Sequence, residues 1–363
     1  MNFKSLVLSG VTLAMLMFTS CQPDDDVTTP STPATFDSTT FADAVTHDAL
    51  NALSSLSSLM KTADPTNGSN AVLASDVITI IEGGTLSLED LYASSSFAGG
   101  YAETADSFEA SSASGTGNVA FDFATPSNSP DGGNAGDHLF NGQPLEVEQL
   151  LEKGSYGAGL FNYTKNTLFA NPATITREDL DAALVLYGSD PTFETKKFTA
   201  KYAANRSYSS SQTFHDAISV QFIAAQVAIL SSNETATATA LDMITELWEK
   251  AIAAQAIYYF TGVASDAAFN PDYDVDADNV KVADAIHGWS EGVSFVSGFS
   301  GVSGTIISDA EVVSILFKTN SIDDQGDDSN GVLGIVNDSN AISTLNSAID
   351  ELATIYGLDK TSI

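Results

Sequence analysis

The sequence predicts an all-α fold, a helical bundle built either as one body or as two packed sub-bundles. Apolar residues recur at helical spacing through most of the chain, as Phe41, Val45, Leu53, Leu56 and Met60 do near its start. Capping residues precede such stretches, and glycine or proline follows them. Strand-like alternation is confined to one short stretch. Amphipathic helices bury their apolar stripes against one another, and this packing builds a bundle.

The first half of the chain contains short helical patterns. The pattern that begins near Phe41 ends at the turn-forming residues 64–68. Residues 75–81 and 86–92 form two further patterns around a pair of glycines, and helical signals return at Pro144. Three glycines interrupt the apolar face that follows Pro144, which indicates either a close approach of another helix or a break in this one. The glycines are Gly154, Gly157 and Gly159.

Capping signals locate two of the later helices. Thr176 with Asp179 is typical of a capping box at the start of a helix over 180–187, and Gly188 suits its C-terminal end. Ser308 stands where another helix is predicted to begin.

The longest helices are predicted in the second half of the chain, where apolar residues keep the helical period over many turns. A shorter helix is predicted just before them, at 198–204. The longer predicted helices cover residues 213–230, 236–260, 280–299 and 342–356.

Residues from about 94 to 136 differ from the rest. They are rich in Ser, Gly, Ala, Asn and Asp, which favours a long loop over a helix. Residues 119–123 alternate between apolar and small or polar side chains, so they could form one strand of a small β-hairpin. We therefore expect a long Ser/Gly-rich loop pinned to the helical body by its few apolar residues.

Residues 1–20 have the layout of a secretory signal peptide. Lys4 gives a positive start, and residues 6–18 form an apolar run that is shorter than the roughly 20 residues a membrane-spanning helix needs. Residues 18–21, Phe-Thr-Ser-Cys, resemble a lipobox, the processing site of bacterial lipoproteins. Cys21 is the only cysteine, so an internal disulfide is excluded and lipid attachment, with palmitate as one acyl group, is predicted at its thiol.

Residues 21–35 read as a tether, and residues 36–363 as the helical domain. The tether is polar and contains proline, threonine and serine without an apolar period. Its acidic residues Asp24, Asp25 and Asp26 resemble the surface-export signal of Bacteroidota lipoproteins. We expect a lipid-anchored protein of the outer membrane that faces the cell surface, with the periplasmic face as the alternative.

The charge balance excludes one class of partner. The chain has 13 basic and 47 acidic residues, a formal net charge of −34, which would repel nucleic-acid phosphates. Excess carboxylates keep a protein soluble in salty water, and we favour this explanation over a general affinity for cations.

Motifs of the familiar enzyme classes are not found in the sequence. The four histidines, His47, His138, His215 and His287, are far apart along the chain, which excludes the His-x-x-x-His zinc peptidase arrangement. Neither a phosphate-binding Gly-rich loop nor a Gly-x-Ser-x-Gly elbow occurs, and Cys21 is committed to lipid. A non-enzymatic protein is therefore favoured.

Two patterns suggest metal sites. His287 and Glu291 share one helix face, with Asp284 one turn earlier, so the three could contribute to an iron or zinc site. The favoured alternative is structural, a histidine hydrogen-bonded to glutamate inside the bundle. The alternate aspartates Asp272, Asp274 and Asp276 are similar to the start of a calcium loop. The loop lacks the usual glycine and final glutamate, so a solvated acidic loop is favoured there.

Three landmarks carry a family resemblance: Leu-Leu-Glu-Lys-Gly at 150–154, Trp-Glu-Lys-Ala at 248–251 followed by 255–259, and His-Gly-Trp-Ser-Glu-Gly at 287–292. In this order they resemble a Bacteroidota lipoprotein family known as domain of unknown function 4856, over about residues 36–358. That family is similar to the imelysin group of exported helical proteins, which are often linked with iron uptake and sometimes called peptidases. The imelysin landmark has glutamate three positions after histidine, whereas His287 and Glu291 lie four apart.

The leading functional expectation is a membrane-anchored, non-enzymatic exported lipoprotein whose helical domain binds a ligand. The resemblance implies a link to metal or iron uptake, with a divalent metal (calcium, or iron or zinc) as cofactor and an outer-membrane transporter or a small ligand as partner. The alternatives are an imelysin-like metal-dependent enzyme and an adhesive or structural surface lipoprotein with the Ser/Gly-rich loop as its contact region.

Overall fold

The structure, a computed structural model, describes most of the predicted helical domain. The described residues are 35–38, 40–116, 119–123, 128–265, 279–321 and 341–363. The predicted signal peptide, Cys21 and nearly all of the tether lie outside them, as do the aspartates of the predicted calcium loop, Asp272, Asp274 and Asp276. Residues 33–363 form one compact unit.

The described residues contain twelve α-helices and two small sheets. The helices are α1 (Thr46–Lys61), α2 (Ala74–Glu82), α3 (Leu88–Tyr92), α4 (Phe97–Thr116), α5 (Val147–Ser155), α6 (Arg177–Tyr187), α7 (Phe198–Ala203), α8 (Phe214–Leu230), α9 (Glu234–Ser265), α10 (Asn279–Ser297), α11 (Asp309–Lys318) and α12 (Ala341–Tyr356). The strands are β1 (Gly133–Ala135), β2 (His138–Phe140), β3 (Ser207–Ser209) and β4 (Gln212–Thr213). The predicted all-α helical bundle is therefore confirmed.

Helix α9 lies at the centre of the bundle. It packs against α8, α10 and α12 and buries side chains on most of its circumference. Trp248, near its middle, is fully buried between the rings of Phe161 and Tyr187. A helix that is apolar on several faces needs neighbours on all of them, which explains why the longest helix takes the central position.

The predicted long loop at 94–136 is wrong for its first half, where α4 forms. Tyr101, Ala105 and Phe108 are spaced along one buried face of this helix. Ser112 is also buried and hydrogen-bonds the backbone N–H and carbonyl of Val72. Serine and glycine have weak helix propensities, but the packing of this apolar stripe against α2 and α5 outweighs them.

A small β-hairpin is present, but it lies later in the chain than the alternating residues 119–123. Strands β1 and β2 pair antiparallel, with Ala135 opposite His138. Ala120 makes only an isolated bridge to Asn134. The hairpin packs against α4 and α10 and thereby places His138 beside α10.

Both predicted capping signals are confirmed. Thr176 and Asp179 form a reciprocal capping box at the start of α6, and Ser308 and Glu311 form another at the start of α11. Gly188 ends α6 with φ of 93°, and a Cβ there would lie 2.1 Å from the carbonyl oxygen of Lys197. Only glycine satisfies both conditions.

The glycines after Pro144 mark a close helix approach. A Cβ on Gly157 would lie 2.8 Å from the backbone of Gly298, and one on Gly298 would lie 2.5 Å from the carbonyl of Gly154. The chain after α5 continues in π-helical turns at Tyr156–Phe161 and Thr164–Leu168. Such turns are frequent near functional sites. Here the close contact brings the end of α5 against the end of α10.

Within the described residues, no helix combines the length and the apolar character that crossing a bilayer requires.

Candidate metal centre

A polar cleft of about 490 Å³ opens between the start of α5, the middle of α10 and the end of α9. The side chains that line it are charged or polar. The residues that line it are Lys61, Asp64, Asp137, His138, Glu146, Glu148, Gln149, Lys153, Lys201, Tyr202, Asn205, Arg206, Gln255, Tyr258, Tyr259, His287 and Glu291.

Two histidines and one glutamate from separate elements meet in this cleft. His138 begins β2, Glu146 immediately precedes α5, and His287 lies on α10. The imidazole rings stack with centroids 4.4 Å apart and planes at 21°. Nδ1 of His287 lies 2.5 Å from Oε2 of Glu146, and Nδ1 of His138 lies 3.4 Å from Oε1. The carboxylate thus accepts from an imidazole on each oxygen.

The local backbone holds Glu146 in place. Its N–H donates to Oγ of Ser290 on α10 at 3.0 Å, which ties the start of α5 to that helix. The side chain is 2 % exposed, so its carboxylate is almost removed from water. A buried carboxylate is costly unless donors or cations surround it.

The two imidazoles supply that compensation. Burial by itself would raise the pKa of Glu146, but the hydrogen bonds from His138 and His287 lower it to about 2. Burial would lower the pKa of His287, but the hydrogen bond to Glu146 raises it to about 9. The pKa of His138 is raised for the same reason, against the effect of burial. Without a metal, Glu146 is therefore an ionised carboxylate held by the protonated imidazole of His287 at neutral pH, with His138 beside it.

Two further carboxyl groups lie beside Glu146. Asp64 follows α1, and Glu148 lies in the first turn of α5. Burial, followed by repulsion from Glu146, raises the pKa of Asp64 to about 7 and that of Glu148 to about 8. The nearest cation to Glu148 is Lys61, whose Nζ lies 3.7 Å from Oε1, too far for a hydrogen bond. The negative charge of each of these two carboxylates is thus poorly balanced by neighbouring cations and hydrogen-bond donors.

A buried lysine closes the inner end of the cleft. Nζ of Lys153 lies 2.9 Å from Oε1 of Glu152 and 3.7 Å from Oε1 of Glu291. It also stands over the rings of Tyr156 and Tyr202. Burial alone would lower the pKa of Lys153, but the neighbouring tyrosines and glutamates raise it well above its usual value. Lys153 is therefore a fixed cation that helps to hold Glu291.

The residues predicted from the helix pattern all lie at or near this cleft. His287 and Glu291 line it, with Nε2 and Oε2 3.7 Å apart, so the hydrogen bond that we expected between them is replaced by the one from His287 to Glu146. Asp284 lies at the rim, where its carboxylate is 3.4 Å from Nε2 of His138 and its side chain is 64 % exposed.

Sequence reasoning missed His138, Glu146, Glu148 and Asp64. Glu146 is 141 residues from His287, so no spacing rule connects them. His138 lies between the predicted loop, which ends at about residue 136, and the helical signals that return at Pro144, where the two glutamates fit an ordinary helix start. One signal was present: the acidic residues Glu146 and Glu148 alternate with the apolar residues Leu145 and Val147. In an alternating pattern, either the acidic or the apolar side chains face the protein body.

The other two histidines have ordinary structural partners. Nε2 of His47 lies 2.8 Å from the carbonyl oxygen of Phe41. His215 is held between the hydroxyl of Tyr187 and the carbonyl of Phe193. Both lie outside the cleft, so they serve as controls for the experiments below.

Comparison with known proteins finds no match: no family model fits the chain, and neither the curated proteins nor the solved structures contain a similar one. The resemblance to domain of unknown function 4856 and to the imelysin group therefore stays a prediction.

The donor set itself defines what chemistry the cleft can support. One ligand atom from each of His138, Glu146 and His287 lies within 4.8 Å of the others. Two imidazole nitrogens and a carboxylate oxygen are typical ligands of zinc and of non-haem iron. The imidazoles must lose their protons to bind a metal, so binding would release protons and strengthen as the pH rises.

Proposed function

We propose that this protein is a lipid-anchored, exported lipoprotein that binds a divalent transition metal at the centre formed by His138, Glu146 and His287. The observation that carries the proposal is the convergence of two stacked imidazoles on one buried carboxylate, from three elements distant in sequence. The structural alternative, one histidine hydrogen-bonded to a glutamate, involves only His287 and Glu146. His138 brings a second imidazole nitrogen to the same carboxylate, which completes a set of ligand types typical of zinc.

The electrostatics of the cleft support a cation rather than an anion as ligand. Five carboxyl groups line it, Asp64, Asp137, Glu146, Glu148 and Glu291, and those of Glu152 and Asp284 lie beside it. A divalent ion would compensate charge that protons now compensate at Glu148 and Asp64, whose pKa values are raised. The side chain of His287 is 31 % exposed, so an ion can reach the centre from solvent.

The predicted anchor supports a role in metal capture at the cell envelope. Lipid on Cys21 would hold the metal-binding domain at the outer membrane on a short tether, where a transporter could receive the ion. Cys21→Ser is expected to release the protein from the membrane fraction, and a variant that stays in that fraction contradicts the anchor.

Calorimetric titration of metal-free, full-length protein in detergent tests the metal proposal. We expect Zn²⁺ or Fe²⁺ to bind, and His138→Ala and His287→Ala each to weaken binding by about 100-fold or more. His47→Ala, a histidine outside the cleft, is the matched control and should bind as the wild type does. Wild-type protein that takes up no metal, or histidine variants that bind normally, would contradict the proposal.

A further inference from the structure

Glu146 belongs to two groups of converging ligand atoms. Besides the group with His138 and His287, one oxygen each of Asp64, Glu146 and Glu148 lies within 4.8 Å of the others. The two groups share Glu146 but come from different elements: the imidazoles belong to β2 and α10, and the added carboxylates belong to the segment after α1 and the first turn of α5.

Unpaired buried oxygens belong to residues that line the same cleft. Oε1 of Glu148 and Oε1 of Gln149 have no hydrogen-bond partner in the described part of the chain, although the side chains are buried and line the cleft. The residues are 2 % and 4 % exposed, respectively. Oε1 of Gln255, on the facing helix α9, is also buried and has no hydrogen-bond partner in the described part of the chain. A buried acceptor without a donor costs about 1–3 kcal/mol, so such atoms in a native protein call for an explanation.

A cation bound by the second group would give Oε1 of Glu148 a partner, and the amide oxygens in the same cleft lining are further candidate ligands. Carboxylate and side-chain amide oxygens are metal ligands, and they need no hydrogen when they coordinate an ion. Lys61 has a half-exposed side chain and makes only a long contact to Glu148. The other basic residues of the lining are Lys153, Lys201 and Arg206, and none of the four donates a hydrogen bond to these oxygens within the described part of the chain.

We propose that the cleft is a dinuclear metal centre in which the carboxylate of Glu146 bridges two divalent cations. The first position, with His138 and His287, is the one that the proposed function already requires, and the inference rests on that function. The second position is held by Asp64 and Glu148, with the amide oxygen of Gln149 at its edge. Paired metal ions that share a carboxylate are about 3.5–4 Å apart in known two-metal sites.

The two positions differ in chemical preference. The first offers two nitrogens and one oxygen, which suits zinc or iron. The second offers oxygens alone, which suits harder ions such as Mn²⁺ or Mg²⁺. We therefore expect that the two positions can hold different metals. Zn²⁺ should bind with lower affinity at the all-oxygen position than at the first position.

Metal stoichiometry and electron paramagnetic resonance with Mn²⁺ as the probe test this inference. Full-length, metal-free protein is expected to bind two Mn²⁺ ions, and the signal of the first ion should lose intensity when the second couples to it. Glu148→Gln is expected to bind one Mn²⁺ with an uncoupled signal, and Asp64→Asn should do the same as a second variant. Glu246→Gln, an exposed glutamate of α9 outside the cleft, is the matched control and should bind two.

The outcomes separate this inference from the proposed function. One uncoupled Mn²⁺ in the wild type, abolished by His287→Ala, overturns the dinuclear centre and leaves the metal-binding function standing. No metal in any variant overturns both. Two coupled ions retained in Glu148→Gln and in Asp64→Asn, each shown by circular dichroism to be folded, also overturn the inference, because the second ion would then bind elsewhere.

Discussion

Two buried glutamates of this bundle, Glu146 and Glu249, differ sharply in their surroundings. They are 2 % and 1 % exposed, so burial does not distinguish them. Glu249, on α9, accepts from the backbone N–H groups of Ile306 and Ile307 at 2.7 and 3.2 Å and from the hydroxyl of Tyr356 at 3.0 Å. Glu146 accepts from two imidazoles and lies among other carboxyl groups.

The partners determine what each carboxylate can do. Backbone N–H groups and a tyrosine hydroxyl keep their protons at ordinary pH, so Glu249 is fixed as a structural link between α9, the 306–307 segment and α12. Imidazoles exchange protons near neutral pH and can take a metal in their place. A buried acid with permanent donors therefore indicates a structural role, whereas one with exchangeable donors in an open cleft indicates a binding site.

The largest expected effect is on stability, at Glu249. Glu249→Ala would leave three donors without an acceptor, two of them in buried hydrogen bonds. We expect the free energy of unfolding to fall by about 3 kcal/mol, with metal binding unchanged. Urea denaturation of the metal-free protein measures the free energy of unfolding, and calorimetric titration measures metal binding. Glu246→Ala, one turn earlier on α9 and exposed, is the control, with an expected change within about 0.5 kcal/mol. If Glu249→Ala lost metal binding but kept its stability, Glu249 would belong to the binding site and would not be a structural link.

The next effect is on metal affinity, at Glu146. Glu146→Gln keeps the shape of the side chain but removes the charge shared by the ligand groups, so we expect the affinity for Zn²⁺ to fall by about 100-fold. The same substitution should cost less stability than Glu249→Ala, because it also relieves repulsion of Asp64 and Glu148. Glu249→Gln is the matched comparison, and an equal loss of metal affinity in both variants would contradict the assignment.

The pH dependence of stability sharpens the comparison further. His287 has a folded-state pKa of about 9 against its usual 6.5, so the stability it contributes is present below pH 6.5 and is lost as the pH rises through 9. Glu148 has a pKa raised from 4.5 to about 8, so its buried neutral form also loses its advantage as the pH rises. We expect metal-free protein to lose stability between pH 6.5 and 9.

Glu148→Gln tests whether stability falls as the pH rises. The variant cannot ionise at that position, so its decline in stability over the same range should be shallower than that of the wild type. Urea unfolding at a series of pH values measures both curves. A wild-type stability that is constant or rises with pH over this range is incompatible with the account.

The smallest effect is expected at Asp284. Among the described residues, its exposed carboxylate is paired with His138 alone, at the rim. Asp284→Ala should therefore change the affinity for Zn²⁺ by less than about 3-fold and the unfolding free energy by less than about 0.5 kcal/mol. His138→Ala, which removes its partner inside the cleft, gives the contrasting large effect. A loss of affinity in Asp284→Ala as large as that in His138→Ala would make Asp284 a ligand.

Most of the fold could be predicted from local patterns. The capping boxes at Thr176 and Ser308 and the long helices α8 and α9 depend on neighbouring residues, and the sequence displays those directly. Helix α4 could not be predicted in this way. Its serines and glycines favour a loop, and only the packing of residues such as Tyr101 and Phe108 against other helices makes it helical.

The candidate site could be predicted only in part. His287, Glu291 and Asp284 share one helix, so their spacing placed them together in advance. Glu146 and His138 join them only through the contact of α5 and the hairpin with α10, over a sequence separation of 141 residues in the case of Glu146. Chemistry that depends on tertiary packing leaves little local signal in a single sequence; here the alternation at 145–148 hints at burial but does not identify the partners.

Anomalous diffraction from crystals of Zn²⁺-loaded protein, recorded at the zinc edge, tests the central claim most directly. The account predicts a peak between the stacked histidines, with Nδ1 of His138 and of His287 each about 2.0–2.1 Å from the ion and a carboxylate oxygen of Glu146 in its coordination shell. A cleft without a peak in protein that has taken up zinc, or a peak confined to the acidic loop around Asp274, would contradict it.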